Sequence, residues 1–87
     1  RYDLEADAVL HLDDGRYALI EFKLGGMEID KGAEHLLEIR NLVRKMNERE
    51  RQIVMDEPTL MIVITGGPIA YMRPDGVMVI PLACLKD

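Results

Sequence analysis

Tryptophan is absent from this chain, cysteine and phenylalanine occur once each, and tyrosine three times. With so little aromatic bulk, any core has to be built from Leu, Ile, Val and Met. A lone cysteine, Cys84, excludes an internal disulfide, and its expected place is as a small buried hydrophobe in a cytoplasmic protein. Cys84, His11 and His35 together fall short of the four-ligand set of a structural zinc site. No apolar run approaches the roughly 20 residues of a membrane span, and no charged segment followed by an apolar stretch and a cleavage site opens the chain. No membrane partner is therefore expected. Basic residues are also few: 11 Lys and Arg stand against 16 Asp and Glu, a formal net charge of −5. Phosphate neutralisation needs clustered cations, which argues against an autonomous nucleic-acid binder. A metal-dependent site that meets DNA through a neighbouring domain stays open. No Gly-Lys-Ser/Thr phosphate loop is present, so no nucleotide site is expected within the chain.

What is present reads as one small α/β domain. The 87 residues are 48% hydrophobic and 31% charged, which suits a globular unit. The expectation is a single domain over residues 1–87, itself a piece of a longer protein. Residues 5–12 and 16–24 read as strands joined by Asp13-Asp14-Gly15, a hairpin over 5–24. Apolar residues from Ala33 to Met46 recur at three- and four-residue steps and predict a helix over about 30–49, with Asp30 as its N-cap. Residues 50–58 read as a loop. The continuous β-branched run 59–65 reads as a strand buried on both faces. A second hairpin is expected over 70–80, turning at Pro74-Asp75-Gly76, with Val77–Ile80 as a hydrophobic edge strand. A helix between two strands suggests a crossover unit, and two antiparallel hairpins make the sheet mixed.

Register decides where the charges of the first hairpin fall. A two-residue loop at Asp14-Gly15 would set Asp7 opposite Phe22. A three-residue loop, with Gly15 in the left-handed conformation of a G1 bulge, sets Asp7 opposite Glu21, Glu5 opposite Lys23 and Val9 opposite Leu19. The second choice sorts the side chains. Ala6, Ala8, Leu10 and Leu12 then share a face with Ala18, Ile20 and Phe22, and the other face holds Glu5, Asp7, His11, Tyr17, Glu21 and Lys23 with Val9 and Leu19. Two carboxylates facing each other cost a few tenths to about 1 kcal/mol. Lys23 on the same face offsets this in part. A divalent cation would do so better, with the Phe22 carbonyl as a further oxygen ligand. The bland alternative is a solvated face with a cross-strand ion pair.

Asp7, thirteen intervening residues, then Glu21-Phe22-Lys23 resembles the D-x(n)-(D/E)-x-K signature of the PD-(D/E)xK, or restriction-endonuclease-like, superfamily. Four segments, Leu4–Val9, Leu19–Gly26, Ile62–Gly66 and Val79–Leu82, resemble the C-terminal domain of unknown function attached to bacterial and archaeal P-loop (AAA-type) ATPases. The resemblance implies a partial restriction-endonuclease-like core. It implies Asp7 and Glu21 as ligands of Mg²⁺ or Mn²⁺, and Lys23 as the residue that positions the attacking water or stabilises developing charge. The implied partners are the ATPase domain of the parent protein and nucleic acid, and the implied activity is phosphodiester hydrolysis or nucleic-acid sensing. An inactive interaction or regulatory domain on the same scaffold is the alternative. Two features depart from the pattern. Ala6 stands where Pro commonly precedes the first acid, and the helix and strand that normally precede the hairpin do not occur in this sequence.

The other residues read more plainly. His11 is expected as a partly exposed surface histidine, and His35 suggests no role. Arg40, Arg44, Lys45, Arg49 and Arg51, interleaved with Glu48 and Glu50, read as a solvated helix face before a phosphate-binding stripe.

Overall fold

A computed structural model describes residues 5–49 and 55–85. Its elements run β1 (Ala8–His11), β2 (Tyr17–Lys23), a 3₁₀ turn (Gly26–Glu28), α1 (Ile29–Arg49), β3 (Leu60–Thr65), β4 (Tyr71–Met72), β5 (Met78–Pro81) and a second 3₁₀ turn (Leu82–Leu85). The five strands form one mixed sheet in the order β1-β2-β3-β5-β4. The centre is parallel, β2 with β3 and β3 with β5, and each edge is added antiparallel by a hairpin. The expected mixed sheet, two hairpins and single long helix are all present.

Both hairpins turn by one device. Ala8 pairs with Ile20, Val9 with Leu19 and His11 with Tyr17, the register of a three-residue loop. The Leu12 N–H donates to the Arg16 carbonyl and the Gly15 N–H to the Leu12 carbonyl. Gly15 lies at φ 89°, which costs a glycine little and a β-carbon much. In the second hairpin the Arg73 N–H donates to the Val77 carbonyl and the Gly76 N–H to the Arg73 carbonyl, with Gly76 at φ 92°.

Strand pairing carries this alternation across the sheet. Leu19 aligns with Met61, Glu21 with Val63, and Val63 with Val79 on one face. Ala18, Ile20 and Phe22 align with Leu60, Ile62 and Ile64 on the other. Helix α1 covers the first of these faces. Its Ala33 and Leu36 pack with Leu19, Met61, Val63 and Val77 to form the core. The face carrying the charges is therefore the buried one. The all-apolar face is open in part: Leu10 is 52% exposed, Phe22 44%, Leu60 40% and Met72 57%, while Ala18 and Ile64 on it are buried. Strand β3, expected to be buried on both faces, is therefore fully buried only on the side that faces α1.

The helix is anchored at both ends by polar contacts. Near its start Asp30 takes the Arg73 guanidinium, which also holds Asp75. Near its end the Asn47 side chain donates to the Met55 carbonyl and accepts from the Met55 N–H, and Arg44 bonds Glu57. Tyr17 then fixes the entry to β3. Its hydroxyl donates to the Asp56 carbonyl, and its own carbonyl accepts from the Thr59 N–H.

Several expectations need correction. Asp30 is not an N-cap: the 3₁₀ turn runs directly into α1, and Asp30 sits inside the first turn, bound to Arg73. Cys84 is exposed on the closing 3₁₀ turn, none of whose residues is buried. The strand at Val77–Ile80 is not an edge, because β4 adds outside it; the edges are β1 and β4. The first strand is shorter than residues 5–12, and the second hairpin pairs only Tyr71 and Met72 with β5. Glu50, Arg51 and the rest of residues 50–54 lie outside the described residues, as does Leu4.

Candidate functional site

Asp7 and Glu21 meet just before β1 begins. The ladder stops at Ala8 opposite Ile20. Beyond it the two carboxyl groups replace main-chain pairing. The Asp7 N–H donates to Glu21 Oε2 at 2.8 Å, and the Phe22 N–H donates to Asp7 Oδ2 at 2.8 Å. A longer β1 would meet that Phe22 N–H with a main-chain carbonyl. Here a side chain satisfies it, so the two strands close in a reciprocal clasp.

The opposed carboxylates anticipated from the register are thus brought together, but each points at an amide. Glu21 is only 3% exposed. A carboxylate so buried needs donors, because unpaired burial of a charge is costly. Asp7 supplies one, and His35 supplies the other contact, its Nδ1 lying 2.9 Å from Glu21 Oε1. His35 was missed by the sequence reading. The available signal was Gly32, one helical turn before it. A glycine inside a helix often marks a close approach. A β-carbon there would stand 2.9 Å from Lys23 Cγ and 3.3 Å from Val63 Cγ2. The helix lies that close to the sheet over Glu21, which is why residue 35 reaches it.

Lys23 is placed beside the clasp rather than in it. It shares the covered face with Glu21, and its stem runs beneath Gly32. Among the described residues no ion pair joins Lys23 to Asp7 or Glu21. Asp7 is exposed and Lys23 half-buried.

Two concavities adjoin this region. His35 lines a shallow cleft of about 260 Å³ with Lys31, Glu34 and Glu38. A larger open groove of about 640 Å³ lies between the first hairpin and the later half of α1, floored by Val9, Leu19, Ile39 and Val43 and rimmed by Glu5 and Asp56. Tyr17 lines that groove. Burial, with Asp56 and Glu57 nearby, raises its phenol above the ordinary value. His11 is exposed, with its ring tilted against Tyr17. The basic helix face is not a free stripe, since Arg44 is already bound to Glu57.

A hydrated Mg²⁺ keeps several waters and octahedral geometry. The clasp as arranged does not fit that ion: Glu21 is nearly sealed from solvent, and each of its oxygens already holds a protein partner. Among the described residues, no three His, Cys, Asp or Glu side chains gather as a metal-holding group, and no helix is long and apolar enough to cross a membrane.

Comparison with protein-family models, with curated proteins and with solved structures gave no match to this chain.

Proposed function

We propose that this chain is a non-catalytic interaction or regulatory domain of a cytoplasmic P-loop ATPase, built on a nuclease-like scaffold. The observation that carries this reading is the commitment of Glu21. It is 3% exposed, with one oxygen on the Asp7 N–H and the other on His35. In this reading Asp7 and Glu21 do structural work: they end β1, hold the hairpin closed and seat α1 on the sheet. The ATPase assignment rests on the resemblance of the four sequence segments alone.

A second reading has one specific observation in its favour. Asp7, Glu21 and Lys23 lie together at one end of one hairpin, beside the Phe22 main chain. A Mg²⁺- or Mn²⁺-dependent nuclease-like module would use Asp7, Glu21 and the Phe22 carbonyl to hold the ion. In that reading Lys23 would supply positive charge beside the clasp.

Titration of Mn²⁺ into the isotopically labelled chain, followed by amide NMR, separates the two. The interaction reading predicts no selective broadening around Asp7, Glu21 and Phe22. Selective broadening there that disappears in Asp7→Asn would overturn it and establish the metal site.

A further inference from the structure

The two edges of the sheet are not equal. Strand β4 offers only Tyr71 and Met72, whereas β1 runs through Ala8, Val9, Leu10 and His11 with no Lys, Asp, Glu or Pro to discourage pairing. Among the described residues no strand lies outside β1. The hairpin fixes which main-chain groups of β1 are spent. The Leu12 N–H bonds the Arg16 carbonyl, so antiparallel alternation makes Leu10 and Ala8 the residues that bond β2. The N–H and C=O groups of Val9 and His11 therefore point outward along the bare edge.

Val9 and His11 also line the open groove of about 640 Å³ between this hairpin and α1. A strand laid against β1 would thus send alternate side chains into that groove. The floor, where Leu19, Ile39 and Val43 join Val9, is apolar and suits aliphatic groups. The rim is acidic. Glu5 and Asp56 are both exposed there, and among the described residues neither has an ion pair and no Lys or Arg lines the groove beside them. The Tyr17 phenol in the same groove is raised by burial first and then by Asp56 and Glu57, so the negative field reaches inward.

We infer that β1 takes an added strand from a partner polypeptide, an extended segment whose groove-facing side chains are aliphatic at the centre and Lys or Arg at the ends. Main-chain bonds to Val9 and His11 supply affinity, and the groove supplies specificity. An acidic strand is refused by Glu5 and Asp56, and a purely polar one by the apolar floor. A second copy pairing through β1 would bring its own Glu5 and Asp56 to the same edge. The inference rests on the interaction reading and names the chemistry of the partner.

A capped peptide, Lys-Thr-Val-Thr-Val-Thr-Lys, reads the same in either direction and carries both valines and both lysines on one face of a strand. It is titrated to about 1 mM into the isotopically labelled whole chain, with amide NMR shifts and amide hydrogen exchange as readouts. The expected result is saturable binding with slowed exchange at the Val9 and His11 amides. The Ala8 and Leu10 amides, already bonded to β2, should keep their rates. The peptide with Glu in place of both Lys should bind at least about tenfold more weakly, and so should the Lys peptide to the double variant Glu5→Gln, Asp56→Asn. Added salt should weaken the Lys peptide, because the pairs at the rim are exposed. No saturable binding, binding without protection of Val9 and His11, or equal binding of the two peptides overturns the inference. So does slow exchange of those two amides in the free chain, which would show the edge already covered, by a second copy if the slowing depends on protein concentration. Each of these results strikes this inference alone, whereas selective Mn²⁺ broadening around Asp7 strikes the interaction reading itself.

Discussion

On one side of the sheet α1 covers Leu19, Glu21, Met61 and Val63. On the other, Leu10, Phe22, Leu60 and Met72 stand open. The covered side includes a buried carboxylate, and among the described residues no strand places a charge on the open side. Alternation along a strand sorts residues into two sets but does not say which set a helix will cover. The covered side tolerates Glu21 because its donors arrive with it: Asp7 from the preceding strand end and His35 from the helix. The open side has no polar group to satisfy, so it lacks only a layer.

This contrast can be tested by mutation. Leu36 is fully buried at the helix–sheet interface, and Leu36→Ala should cost about 2–5 kcal/mol by urea unfolding. A smaller effect would mean that α1 is not seated on this face. Tyr17 lies at the margin of the covered side. Tyr17→Phe removes its hydrogen bond to the Asp56 carbonyl and should cost about 1 kcal/mol. The Tyr17 phenol is raised in the folded state, first by burial and then by Asp56 and Glu57. A raised folded value means the folded state holds its proton longer. The corresponding stability is present in full below about pH 10, the unfolded value, and is lost as pH rises through the folded value. Tyr17→Phe should abolish that part of the alkaline loss. On the open side, Leu10→Lys should change the stability of the monomer by no more than about 0.5 kcal/mol. A loss comparable to that of Leu36→Ala would show that this face is covered within the monomer.

The parts of the fold legible in the sequence were those fixed by local chemistry. Gly15 and Gly76, each following an Asp, specify the same turn, and that turn sets the register of Asp7 against Glu21. The β-branched run ending at Thr65 predicted a strand buried on both faces. Strand β3 does lie inside the sheet, but Leu60 is exposed and Ile62 only half-buried on its second face. Periodicity placed the helix within a residue of its observed limits. What escaped depends on tertiary placement. Asp30 has the chemistry of a cap, but Arg73, distant in sequence, claims its carboxylate. Cys84 has the chemistry of a core residue but sits exposed on the closing turn. His35 carries no local signal of its own, and only the closeness allowed by Gly32 brings it to Glu21. The candidate site was therefore legible as a pair of residues on one hairpin, and its burial was not.

The central claim is that Glu21 holds the fold together rather than waiting for a cation. The direct measurement is the thermal unfolding of Glu21→Gln against wild type in the presence of EDTA. A charge-assisted hydrogen bond contributes about 1.5–3 kcal/mol, and a domain of this size loses roughly 4–8 °C per kcal/mol. The clasp predicts a clear fall in Tm for Glu21→Gln. A Tm that stays level or rises, as relief of repulsion between two metal-free carboxylates would produce, contradicts the account.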